Sequence, residues 1–219
     1  MTEAHSYAGD DDIFTGERRM QSLHGTRDRA DRFYRDQMLD HLNPRMRAFI
    51  GRQEMMFIAT ADRRGACDSS FRAGPPGFVH VLDAYTLAYP EYRGNGVLAS
   101  VGNIAENPQV GLLFLDFDQE RIGLHVNGSA MTTGDAELRR RTPSLPVPQV
   151  PGQRALLWMV VRVEEAYIHC RKHVPHLRKV DRDEAWGTDD TLRKGGDYFE
   201  ARGTNTDSVL ASTPTARHA

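Results

Sequence analysis

Apolar residues in this chain gather in short runs separated by turn-forming clusters. Met55-Met56-Phe57-Ile58-Ala59-Thr60 predicts a buried strand over 55–60. Asp62-Arg63-Arg64-Gly65 predicts a hairpin turn, with 66–71 returning antiparallel. Short strands follow at 78–82 and 86–89, on either side of Asp83-Ala84-Tyr85. Residues 110–117 form a continuous apolar strand. Over 122–131, Ile122, Leu124 and Val126 alternate with Gly123, His125 and Asn127, the period of a half-buried strand. The last strand spans 154–167, with Leu156-Leu157-Trp158-Met159-Val160-Val161 at its centre and Trp158 as a core residue.

Helical spacing interrupts this pattern in a few places. Asn43-Pro44 combines a preferred N-cap with proline at the first helical position, and Met46, Phe49 and Ile50 follow at i, i+3 and i+4. Val97, Leu98, Val101, Ile104 and Ala105 form one stripe, which predicts a helix over 97–106 that Asn107-Pro108 ends. The charged segment 28–41 predicts a surface helix. Residues 1–26 lack periodicity and read as a flexible arm, 134–152 as an Arg- and Pro-rich connection, and 169–180 as a basic segment. The stretch 181–199, around Trp186, is polar and irregular, and 200–219 reads as a disordered tail. One domain over 27–180 with an extension over 181–219 is expected. Short strands at close spacing with a mid-chain helix predict a small, mostly antiparallel barrel.

Composition narrows the function. With 219 residues the chain can bury a substantial core, and 26% charged residues at a net charge of -2 argue against binding nucleic acid or a membrane surface by bulk electrostatics. No apolar run approaches the ~18 residues of a membrane span. Cys67 and Cys170 are too few for a disulfide framework, and residues 1–12 lack the basic and apolar regions of a secretory signal. A soluble cytoplasmic protein is expected.

Two segments carry the candidate chemistry: Ser69-Ser70-Phe71-Arg72-Ala73-Gly74-Pro75-Pro76-Gly77 and Tyr92-Arg93-Gly94-Asn95-Gly96. Both bring hydroxyls, a guanidinium or glycine-freed amides to the end of a regular element, and the second opens into the 97–106 helix. Amides at a helix start favour a phosphate. Strand alternation sets Ser70 and Arg72 opposite Ser69. Tyr89, Pro90 and Tyr92 either flank a planar ring or fill a rim. The loop is not a Walker-type loop, because the Lys and Ser/Thr partner are absent, nor a dinucleotide fingerprint. His169, His173 and His176 would share one helical face suited to a transition metal or haem, but Pro175 interrupts that helix. Arg171, Lys172, Arg178 and Lys179 around them favour an anion. His80 and His125 read as structural histidines in strands.

The hairpin of Phe57-Ile58-Ala59-Thr60 and Cys67-Asp68-Ser69-Ser70, the helix end Asn-Ile-Ala-Glu-Asn-Pro-Gln-Val and the Gly-Leu-Leu-Phe strand resemble the pyridoxamine 5'-phosphate oxidase-like split-barrel flavoproteins over roughly 44–173. Tyr167-Ile168-His169-Cys170-Arg171-Lys172 resembles one branch of that family. The resemblance implies a mainly β (α+β) fold with a six-stranded antiparallel split β-barrel and flanking helices. It also implies a homodimer with FMN at the subunit interface. Carried onto this sequence, the FMN contacts are Ser69, Ser70, Arg72, Tyr89, Arg93, Gly94, Asn95, Ser100, His169 and Lys172. The implied activity is hydride or electron transfer, with a nicotinamide donor or small-molecule substrate. F420 is an alternative cofactor, and a haem or metal protein using His169, His173 and His176 an alternative class. An Arg-Leu-x-Pro-type motif is absent, and Ala99 and Ser100 stand where an Arg-Lys pair precedes the family's mid-chain helix, so pyridoxamine phosphate is not the implied substrate.

Overall fold

Eight strands run through the chain, all paired antiparallel in a single sheet, in a computed structural model that describes residues 15–148, 150–180 and 188–202. Helices α1 (Thr15–Leu23) and α2 (Arg27–Gln37) lead into β1 (Met38–Leu39) and α3 (Pro44–Ile50). The strands β2 (Met55–Ala61), β3 (Cys67–Ala73), β4 (His80–Val81) and β5 (Thr86–Tyr92) precede α4 (Ala99–Glu106). Then come β6 (Gln109–Leu115), β7 (Gly123–Thr133), α5 (Asp135–Arg141) and β8 (Ala155–His169). Among the described residues no helix is long and apolar enough to cross a membrane.

Local chemistry accounts for several of these boundaries. The Asn43 side chain accepts a hydrogen bond from the Met46 amide at 2.9 Å, and Pro44 occupies the first turn of α3, which buries Phe49 and Ile50. Asp62 closes the β2–β3 hairpin by accepting from the Arg64 and Ala66 amides. β7 follows its expected alternation, burying Leu124, Val126 and Ala130.

The strand order is β3-β2-β6-β7-β8-β5-β4, and β1 pairs the far half of β8. β8 is the long member. It lies along β7 from Trp158 to His169, with β5 on its other side from Ala155 to Arg162 and β1 at Ala166 and Tyr167. A bulge at Glu164 separates these two halves and keeps Val163 and Ala166 both turned into the core. Glycine is required opposite it: a Cβ on Gly128 would lie 2.0 Å from the Arg162 carbonyl oxygen.

The six-stranded split barrel expected from the sequence is not formed. The sheet has eight strands, and its edge strands β3 and β4 do not pair with each other. The chain beyond β3 contains Pro75 and Pro76, β5 contains Pro90, and none of these has an amide to donate to a closing ladder. β3 reaches across to β5 through side chains alone, as described below.

One face of the sheet and helices α3 and α4 enclose the main core, which includes Met56, Ile58, Leu112, Phe114, Val126, Met159, Val161, Leu87 and Tyr89. A second, smaller core lies on the opposite face, where α5 sets Leu138 with Leu145 against Trp158 and Ala88. The connection expected at 134–152 therefore contains a helix. Asp135 and Glu137 near its start and Arg139 to Arg141 at its end match the helix dipole, and the Trp158 indole donates to Asp135 at 2.9 Å. Likewise α1 occupies part of the expected arm, held to α2 by Arg18–Asp31 and by the Tyr34 hydroxyl donating to Glu17. Residues 1–14, Trp186 and 203–219 lie outside the described residues. The strand expected at 78–82 shrinks to His80–Val81, because Phe78 and Val79 turn into the core.

Candidate functional site

β3 places Asp68, Ser70 and Arg72 on the core side of the sheet, opposite Thr60, Ile58 and Met56 of β2. Ser69 and Phe71 face the other way and are exposed. The start of α4 brings Ser100 to the same place, 3% exposed. Its hydroxyl donates to Asp68 Oδ2 at 3.2 Å and lies 3.3 Å from Ser70 Oγ, which itself donates to Asp68 at 2.9 Å. One turn on, the Asn103 amide donates to Thr60 Oγ1 at 3.0 Å and fixes the helix against β2.

Two residues along β3, the Arg72 guanidinium meets Glu91 of β5 at 3.0 and 3.1 Å. Tyr89 lies on the same face of β5, fully buried, and its hydroxyl has no hydrogen-bond partner among the described residues. Burial raises the pKa of this phenol; Arg72 opposes the rise and Glu91 adds to it. Loss of solvent likewise raises that of Tyr92.

Between β5 and α4 the loop carries Arg93, Gly94, Asn95 and Gly96, all exposed. Asn95 accepts from the Val97 amide at 3.0 Å, Gly96 has φ +83°, and Leu98 enters α4 at φ +54°. The first turn of α4 has no side-chain cap, so its amides keep their donor capacity. The Arg93 guanidinium is held by both carboxylate oxygens of Asp189, at 2.8 Å each, from the segment 188–202.

The structure thus joins Ser70, Arg72 and Ser100 below the loop of Arg93, Gly94 and Asn95. Ser69 is on the other face of the sheet, and Tyr89 is sealed in the core. His169 belongs to a different cluster, four strands from β3. Its Nδ1 lies 3.1 Å from Nε2 of His125, whose ring stacks on Tyr167 at 4.7 Å, and Phe33 of α2 packs edge-on against Tyr167. Burial first, and then His169, lower the pKa of His125. Lys172 is exposed in a 3-10 turn over Arg171–His173. The three-histidine alternative is not assembled: His169 faces His125, His176 lies 3.4 Å from Asp118, and among the described residues no group of three or more metal-ligating side chains is placed to hold an ion.

Asp68, Glu91 and Asp189 are the residues that sequence reasoning missed. For Asp68 the signal was present, since it alternates with Ser70 and Arg72 at i, i+2 and i+4. Glu91 is an acid within a strand whose neighbours are buried, a position that requires a charged partner.

Residues 42–170, more than half of the chain, match the pyridoxamine 5'-phosphate oxidase family, and the chain belongs to that family. Among solved structures, a putative pyridoxamine 5'-phosphate oxidase from Lactobacillus delbrueckii is 18% identical, with 60% of this chain and 98% of that one covered and a TM-score of 0.43. HupZ from Group A Streptococcus is 18% identical over 62% of this chain and 98% of its own, at a TM-score of 0.40. HutZ, a haem storage protein from Vibrio cholerae, is 17% identical over 58% of this chain and 94% of its own, at 0.38. No curated protein matches the chain.

Proposed function

We propose that this chain is an FMN-binding flavoprotein of oxidoreductase type, acting as a homodimer. The observation that carries the reading is the pair of hydroxyls, half-buried Ser70 and buried Ser100, side by side at the uncapped start of α4 with Arg72 next on that face of the strand. This donor set fits a phosphate ester. Hydroxyls, a guanidinium and helix-start amides are the groups that bind such an anion, and the space over Gly94, Gly96 and Gly102 is open. The carboxylates of Asp68, and of Glu91 on Arg72, oppose an anion. Ser70, Arg72, Ser100 and the amides of 94–100 would hold the phosphate, with Arg93 on the same loop. A bound flavin supplies hydride or electron transfer, while the protein orients the ring and excludes water.

A partner subunit is supported by the part of the sheet face opposite the main core, around β3 and β2, which α5 does not cover. Phe71, Phe57, Leu113 and His125 lie in register across β3, β2, β6 and β7, with Phe71 52% and Phe57 36% exposed. An aromatic-rich row of this kind is suited to burial against a second copy.

The test is the identity of the ligand that co-purifies with the full chain, read by mass and by visible absorbance, together with titration by FMN. FMN bound at one per subunit in a dimer supports the reading. A protein that ignores added FMN overturns it. Capture of F420 in its place would assign a deazaflavin, and a Soret band would assign haem.

A further inference from the structure

A cavity of about 350 Å³ lies away from the cluster just described, between the end of α3, strand β4 and the chain that follows α5. It shares no lining residue with that cluster. Its polar lining is Arg47, His80, Thr142 and Ser144, and its apolar wall includes Val81 and Leu145. None of the four polar side chains makes a hydrogen bond or ion pair among the described residues, and no carboxylate lines the cavity. By contrast, the nearby acid Asp135 is already engaged by Arg139 and by the Trp158 indole.

A concave site at the small end of the ligand-pocket range, with an apolar wall and a few convergent donors, has the make-up of a small-molecule site. The uncommitted donors set the charge of the ligand, because a guanidinium beside two hydroxyls and an imidazole matches a planar oxyanion. Only one permanent cation faces the space, and burial together with Arg139 favours the uncharged form of His80. We propose that this cavity binds a small organic carboxylate, its carboxyl group on Arg47 and the hydroxyls and its apolar body against Val81 and Leu145.

Trp158 provides a reporter, since its ring lies 5.6 Å from that of His80 and packs with Leu145. The chain has two tryptophans, Trp158 and Trp186, so the full-length Trp186→Phe protein isolates the signal. Titration with benzoate is expected to change Trp158 emission saturably, and benzyl alcohol, of the same shape without the charge, is expected to leave it unchanged. In the same background Arg47→Gln should weaken benzoate binding by about tenfold or more, and Arg47→Lys should restore part of it. Arg47 is exposed, so these variants retain the fold, which circular dichroism verifies. Phenyl phosphate should bind more weakly than benzoate. Equal benzoate affinity in Arg47→Gln, an equal response to benzyl alcohol, or no saturable change up to the solubility of benzoate would overturn the proposal. Tighter binding of phenyl phosphate would overturn its assignment to a carboxylate.

Discussion

Arg72 of β3 and Glu91 of β5 form an ion pair between strands that share no backbone ladder, joining one edge of the sheet to the strand next to the other. With side chains only 18% and 12% exposed, both charges have given up most of their water. The pair therefore substitutes at one point for the ladder that would have closed the sheet.

Breaking this pair leaves a mostly buried charge alone. Glu91→Ala is expected to cost about 2–4 kcal/mol of stability, and the double variant Arg72→Ala/Glu91→Ala less than the sum of the two single changes. Urea unfolding of the four proteins checks this. Additive losses would show that the two side chains act independently.

For the flavin site, Ser70→Ala and Ser100→Ala are each expected to weaken FMN binding by about 1.5–3 kcal/mol, because each hydroxyl would donate to a charged phosphate. Asp68→Asn should strengthen it by removing the opposing carboxylate. Equilibrium titration of apoprotein with FMN decides the matter, and weaker binding by Asp68→Asn would remove the phosphate from this position.

Asp189→Asn releases Arg93 from an exposed pair, with side chains 66% and 76% accessible, so stability should change by no more than about 0.5 kcal/mol. FMN affinity should rise, since a carboxylate beside the Arg93 loop no longer repels the phosphate. Comparing thermal unfolding with FMN titration separates the two effects.

The pH dependence of stability follows from His125 and His80, both shifted below the ordinary histidine value, chiefly by burial. The unfolded chain takes up these protons first as pH falls. Stability held at neutral pH should therefore drop as pH passes below about 6.5 and level off beneath the folded-state values. Each histidine contributes at most about 1.4 kcal/mol per pH unit. His125→Gln should flatten part of that slope in urea midpoints measured between neutral and mildly acidic pH.

Gly128→Ala places a methyl group on the Arg162 carbonyl oxygen, where only backbone movement relieves the clash. A loss of about 3 kcal/mol or more is expected, read as a lowered melting temperature.

Much of the fold was legible wherever a signal was local. Asn43-Pro44 marked the start of α3, Asp62 to Gly65 marked a hairpin, and Asn107-Pro108 stopped α4. Strand alternation also separated Ser70 and Arg72 from Ser69. Sheet closure was not legible, because it depends on which edges meet, and the period of β3 or β4 carries no information about that. α5 was hidden by its Arg- and Pro-rich surroundings: Leu138 is its one fully buried side chain, too little for a stripe. At Tyr89 the reading stayed open because β5 buries side chains on both faces, which removes the alternation that separates a core residue from a rim residue.

The bulge at Glu164 lets one unbroken strand serve as the common wall of regions that would otherwise be separate. The α5 layer leans on its beginning, the histidine pair on its end, and the main core on its middle. Among the described residues, these three regions cannot separate without disturbing β8. Withdrawal of that spine from either neighbour dismantles all three regions together, so the 15 residues of β8 set the cooperativity with which the molecule melts.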